Sequence, residues 1–156
     1  MKKIYAKILG VAAIVAASLS LTSCDDGGPW YDGYYPPNGW NSTFYDNRLN
    51  GYWELVQYNS YPVDPGEKNY MYFNGDGRGL YYYWQGGRRY TTGMVYWCQS
   101  SNTGTSQYQV NIQYEGGGSE TTNYWFVGNN TMTMQWMTTN GRTETYVYDR
   151  IGYAPW

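Results

Sequence analysis

The sequence contains no histidine, which removes the commonest general base and the commonest biological metal ligand together. Triads and zinc centres built on imidazole are excluded. Charge is also scarce: charged residues make up 14% of the chain and the net charge is −2, so there is no basic face of the kind that tracks a phosphate backbone. Nucleic acid is not an expected partner. Cysteine occurs twice, at Cys24 and Cys98. If the first is consumed as argued below, the second has no partner within one molecule and the fold must stand without a disulfide. Beyond the first two dozen residues no apolar run keeps a 3.6-residue period long enough for a helix, and parallel βαβ crossovers need one.

What the chain has instead is rings. Aromatic residues are 21% of the total, from 21 Tyr, 8 Trp and 3 Phe, and flat ring side chains suit a half-buried pleated surface. With 156 residues there is room for one domain and a leader.

The leader opens with Lys2, Lys3 and Lys7 and continues as an apolar run from Ile8 to Leu21. That run has the length of a signal-peptide core and is shorter than the roughly 20 residues of a membrane-spanning helix. It ends in Leu21-Thr22-Ser23-Cys24, which resembles a bacterial lipobox, where cleavage before Cys24 leaves that cysteine to carry lipid. Ordinary secretory cleavage near the same place is the alternative. A lipid there would hold the mature chain to a membrane, each buried methylene contributing about 0.8 kcal/mol. Asp25 and Asp26 follow at once; acidic residues in this place resemble an inner-membrane retention signal in enteric bacteria and an outer-surface signal in Bacteroidota lipoproteins. The abundance of Tyr, Asn and Gly favours the second, hence an outer-membrane location in the cell envelope. Residues 1–23 are accordingly read as signal peptide and 24–48 as a tether. The tether's Pro and Gly disfavour regular structure, and its rings Trp30, Tyr31, Tyr34, Tyr35 and Trp40 either belong to a disordered linker, stack on polysaccharide or pack back on the domain.

From Asn50-Gly51-Tyr52-Trp53 onward, short runs of aromatic and β-branched residues alternate with Gly, Asn, Asp and Pro. About eight strands are expected, roughly Gly51–Tyr58, Asn69–Phe73, Gly79–Trp84, Gly93–Gln99, Ser106–Tyr114, Thr121–Val127, Thr131–Met137 and Thr143–Arg150. The alternation is clearest in Tyr108-Gln109-Val110-Asn111-Ile112-Gln113-Tyr114, whose period of two assigns one face to a core. Between the strands lie Asn74-Gly75-Asp76-Gly77, Gly116-Gly117-Gly118, Gly128-Asn129-Asn130 and Asn140-Gly141, the last expected to form a type I′ hairpin. Tyr61–Glu67 is a longer connection whose two prolines are expected to stop strand continuation. The fold class is therefore all-β, an antiparallel up-and-down barrel of about eight short strands, since closure removes both exposed edges. Alternation assigns Trp53, Leu55, Phe73, Val95, Trp97, Val110, Ile112, Phe126, Met132, Met134 and Val147 to the interior, each contributing roughly 1.5–3 kcal/mol when buried.

Three pieces together, Leu49-Asn50-Gly51-Tyr52-Trp53-Glu54-Leu55, Tyr70-Met71-Tyr72-Phe73-Asn74-Gly75-Asp76-Gly77-Arg78-Gly79 and Tyr146-Val147-Tyr148-Asp149-Arg150-Ile151, resemble the small lipocalin-like domains of Bacteroidota lipoproteins, which are calycin-type β-barrels. The resemblance covers 49–151 and leaves 152–156 as a tail. It implies that Trp53 lies at the closed end, that Arg150 packs across its indole, and that the 61–67 connection covers the mouth. A guanidinium on an indole contributes about 0.5–2 kcal/mol.

Candidate sites are few. Asn74-Gly75-Asp76-Gly77 begins like a calcium loop, but Arg78 occupies the next alternate position and no bidentate Glu follows, so turn chemistry is expected and no metal or other cofactor. No spacing marks a pair of carboxylates for glycoside hydrolysis. Cys98 has no evident base and reads as a small buried residue. No enzyme is expected. Rings on both sheet faces suit the stacking of a small apolar or carbohydrate ligand, with Tyr82, Trp84, Tyr96, Trp97, Tyr108 and Tyr114 as candidate contacts, or the docking of a protein partner on an outer aromatic face.

Overall fold

The computed structural model describes residues 34–40, 42–100 and 107–155. The expected signal peptide, Cys24, Trp30 and Tyr31 lie outside the described residues.

Nine strands follow one another: β1 (Gly51–Tyr58), β2 (Tyr61–Pro62), β3 (Tyr70–Phe73), β4 (Arg78–Gln85), β5 (Arg88–Ser100), β6 (Tyr108–Tyr114), β7 (Ser119–Val127), β8 (Thr131–Met137) and β9 (Thr143–Ile151). β3 pairs antiparallel with β1, and from β3 onward each strand pairs antiparallel with the next. β9 returns to β1, in a register running from Tyr52 opposite Ile151 to Tyr58 opposite Tyr146. The result is a closed eight-stranded up-and-down barrel, with β2 as a two-residue flap on β1. Among the described residues there is no α-helix, only a 3-10 turn at Pro65–Glu67, and no helix is long and apolar enough to cross a membrane.

Pro62 does not stop strand pairing as expected: it lies opposite Gln57 on the flap, where one side faces no further strand and a missing amide donor is tolerated. The hairpin chemistry also differs in place. Asn140 keeps an ordinary φ and only Gly141 is left-handed, with φ 75°; the Gly141 amide bonds the Thr138 carbonyl and the Thr138 amide bonds the Arg142 carbonyl. That is a type I turn closed by a glycine bulge. Gly86 and Gly87, with φ 57° and 75°, join β4 directly to β5 and supply the two successive positive φ values of a type I′ hairpin.

Inside the barrel, Trp53, Phe73, Tyr96, Val110, Ile112, Tyr124, Met132 and Met134 are sealed from solvent, with Leu55, Met71, Met94, Tyr114 and Tyr148 nearly so. Three expected interior residues are on the other face. Val95 and Trp97 point outward because Met94, Tyr96 and Cys98 take the inner positions of β5, and Val147 points outward between Tyr146 and Tyr148. β4 is turned so that Gly79 faces in: a Cβ there would lie 2.2 Å from the Tyr72 carbonyl oxygen and 2.5 Å from Cε of Met94. Met94 fills that space, and Tyr81 becomes an inner ring. In β1 an extra residue at Val56 shifts the register against β9. This bulge sends Tyr58 inward after Leu55.

The chain before β1 packs on the barrel. The Tyr34 hydroxyl donates to the Tyr114 carbonyl and the Gln113 amide donates to the Tyr35 carbonyl. Further along, Phe44 exchanges two backbone hydrogen bonds with Cys98. Residues 34–40 and 42–44 thus run down the outer side of β5 and β6, where the outward-facing Trp97 and Asn111 are buried. Asp46 and Leu49 are buried at the barrel end next to Trp53, so the folded unit extends N-terminal of residue 49.

Candidate functional site

The two ends of the barrel carry opposite chemistry. At the end where β1 begins, the Arg150 guanidinium lies 4.3 Å from the Trp53 ring centroid and donates to the carbonyls of Arg48, Asn50 and Asn129. The Trp53 indole donates to the Leu49 carbonyl at 2.6 Å. Arg48 sits over Tyr108 and Phe126, 4.6 and 4.8 Å from their centroids, and pairs with Asp46, which also accepts from the Tyr124 hydroxyl at 2.9 Å. Burial alone would raise the Asp46 pKa; bonds from Arg48 and Tyr124 outweigh it and hold the carboxyl low. A cleft of about 310 Å³ opens here, lined by Arg48, Phe126, Gly128, Asn129, Asn130 and Arg150. It contains no Tyr or Trp and lies outside the plug that closes the barrel.

The other end is the mouth, ringed by the loops 59–69, 86–87, 115–118 and 138–142. Its inner wall is built by alternation on seven strands: Tyr58 from β1, Tyr81 and Tyr83 from β4, Tyr90 from β5, Tyr114 from β6, Glu120 from β7, Trp136 from β8 and Glu144 and Tyr146 from β9. The rings touch in sequence. Tyr81 and Tyr83 stack at 5.4 Å, Tyr83 and Tyr90 at 5.3 Å, and Tyr81 meets Tyr114 at 5.9 Å. Across the wall, Tyr146 contacts Trp136 at 4.6 Å and Tyr58 at 4.8 Å. Tyr81, Trp136 and Tyr146 remain half-buried, while Val63, from the loop after β2, packs against the same cluster.

Glu120 is the acid of this wall. Its carboxylate accepts from the Trp136 indole at 3.1 Å and from the Tyr114 hydroxyl. Burial pushes its pKa up, and those two hydrogen bonds reverse only part of the rise. No described Lys or Arg offsets its charge. Burial of Tyr81, Tyr114 and Tyr148 raises their hydroxyl pKa values, and the Glu120 charge adds to the rise. Glu144 stands nearer the rim, accepting from Tyr146 at 3.2 Å.

The six candidate contact residues are not brought together. Only Tyr114 faces the mouth. Tyr96 and Tyr108 are inner residues of the opposite end, packed near Asp46 and Arg48. Tyr82, Trp84 and Trp97 face outward: Tyr82 lies 6.5 Å from Tyr52, which stacks on Tyr72 at 4.5 Å, and Trp84 receives Arg89 at 5.1 Å. Glu120, Tyr81, Trp136 and Tyr146 were not singled out by sequence. Yet β7 has period two, and the assignment of Phe126 to the interior carries Tyr124, Thr122 and Glu120 with it.

In the Asn74-Gly75-Asp76-Gly77 turn Asp76 is engaged by Arg78, whose Nε lies 3.0 Å from the carboxylate. Cys98 is fully buried, and burial pushes its thiol up to about 11.

No protein-family model and no curated protein matches the chain. Among solved structures it is similar to a redesigned β-barrel, at 13% identity and a TM-score of 0.47, over 67% of this chain and 93% of that one.

Proposed function

We propose that this protein is a lipid-anchored lipoprotein of the cell envelope, with a lipocalin-like barrel that acts as a non-catalytic binding module for a small apolar or carbohydrate ligand. The observation that carries the reading is the convergence of Tyr81, Tyr114, Trp136 and Tyr146 around Glu120 at the mouth. Elsewhere the inside is filled by sealed side chains, whereas here Tyr81, Trp136 and Tyr146 stay half-buried and carry polar tips that fix orientation. The anchor rests on Leu21-Thr22-Ser23-Cys24 and the basic and apolar segments before it, with Asp25 and Asp26 favouring the outer membrane.

A second reading is a structural lipoprotein that docks a protein partner. It is favoured by the half-buried Tyr52 and Tyr72, which stack on the outer face of β1 and β3 beside the buried Tyr82 of β4. Native mass spectrometry of the protein extracted from its host membranes in mild detergent separates the two. A retained small mass that is lost on Trp136→Ala supports the mouth as binding site. A retained protein mass that is lost on Tyr72→Ala supports docking. If the extracted chain carries no added mass and none appears on incubation with host extract, both readings fail.

A further inference from the structure

We propose that the mouth takes an organic ammonium ion, with Glu120 as its counter-charge and the rings of Tyr81, Trp136 and Tyr146 as its walls. The inference rests on the mouth being a binding site and narrows the ligand to one chemical class. Its first ground is a buried carboxylate with no described cation beside it. Arg48 and Arg150 close the opposite end, Lys68 pairs with Glu54 outside, Arg78 pairs with Asp76 in the β3–β4 turn, Arg89 lies on Trp84, and Arg88 and Arg142, in or beside the loops that ring the mouth, are exposed at its rim. Among the described residues Glu120 has one indole and one phenol as its side-chain partners. A neutral ligand would enclose that carboxylate further with no counter-charge and leave it to take up a proton, whereas an ammonium ion supplies the counter-charge itself.

The second ground is the wall. The faces of Tyr and Trp rings are electron-rich and attract cations, and several rings around one pocket form the usual cage for alkylammonium heads. Here the ring contacts Tyr81 to Tyr114 and Trp136 to Tyr146 bracket the carboxylate from β4, β6, β8 and β9. An anionic ligand among these rings is opposed by the Glu120 carboxylate.

The test is isothermal titration of the full chain in a non-ionic detergent with three probes: choline, its uncharged carbon isostere 3,3-dimethylbutan-1-ol, and glucose. Choline is expected to bind at least about tenfold more tightly than the isostere, and Glu120→Gln, which keeps an acceptor for Trp136 and Tyr114, is expected to lose that advantage with near-ultraviolet circular dichroism unchanged. The comparison of choline with its isostere needs no variant, so it stands if Glu120→Gln misfolds. Equal binding of choline and isostere, or binding of glucose alone, overturns the ammonium assignment and leaves the mouth as a site for neutral ligands. Silence from all three probes overturns the assignment too; native mass spectrometry showing no mouth-dependent ligand would then remove the binding reading beneath it.

Discussion

Two carboxylates buried in the same barrel respond to pH in opposite directions. Glu120 is held among Tyr81, Tyr114 and Tyr148, Trp136 and Tyr146, and burial raises its pKa against the pull of its two hydrogen bonds. The folded chain therefore keeps this proton more tightly than the unfolded chain does. Its contribution to stability is complete below the ordinary glutamate range and is lost as pH rises through the raised folded value. Asp46 is the reverse: Arg48 and Tyr124 lower its pKa despite burial, so its contribution is present above the ordinary aspartate range and fades as pH falls through the lowered one. Denaturant midpoints measured between about pH 3 and pH 8 should show Glu120→Gln gaining stability relative to the parent toward neutral pH, and Asp46→Asn losing it. Equal, pH-independent shifts in both variants would contradict this assignment. At the same scale, Trp53 is sealed, hydrogen-bonded to Leu49 and covered by Arg150. Trp53→Ala should destabilise by about 3–5 kcal/mol. Arg150→Lys should not restore what Arg150→Ala loses, because an ammonium cannot lie flat on the indole while reaching three carbonyls at fixed angles.

At the scale of elements, the turns and the approach segment decide more than strand propensity does. Gly86 and Gly87 are both left-handed with nothing near their missing Cβ atoms, so the cost of Gly87→Ala is backbone strain of about 1–2 kcal/mol. Gly66, also in open space but without a positive φ, should accept Ala with little change in midpoint. Leu49 precedes the first strand yet is fully buried, and Leu49→Ala should cost about 2–5 kcal/mol by thermal or chemical melts. Strand positions were legible in the sequence because Gly, Asn and Pro punctuate the rings at nearly every boundary. Facing was legible where one side is polar, as in Tyr108–Tyr114. It was not legible in β5, where Met94-Val95-Tyr96-Trp97 is apolar on both sides because the described residues before β1, Phe44 among them, cover the outer one. Nor was it legible in β4, where the glycine that sets the parity leaves no apolar signal. The mouth was hidden for a related reason: its acid sits in Ser119-Glu120-Thr121-Thr122, a stretch whose polarity reads as solvent-facing, and only the step of two back from Phe126 turns it inward. Asp46 and Arg48 lie in what composition reads as tether.

For the whole molecule, closure fixes where an anchor would hold the barrel. The described chain starts at Tyr34, whose hydroxyl bonds to β6 at Tyr114, beside the mouth. Cys24 is ten Cα steps earlier, and a chain spans at most about 3.3–3.6 Å per residue, so lipid on Cys24 would keep the mouth within roughly 35 Å of the bilayer surface. The plugged end, with Trp53 and Arg150, is free to point either way. Exposed rings offer a competing means of attachment: Tyr35 is 73%, Tyr61 66% and Tyr153 67% accessible. Cys24→Ala discriminates between them. If lipid is the anchor, wild-type protein should sediment with host membranes and the variant should remain in the soluble fraction, with the near-ultraviolet spectrum of its buried rings unchanged. A folded variant that still sediments would transfer the attachment to the ring-bearing surface, and removing Tyr35, Tyr61 and Tyr153 together should then release it.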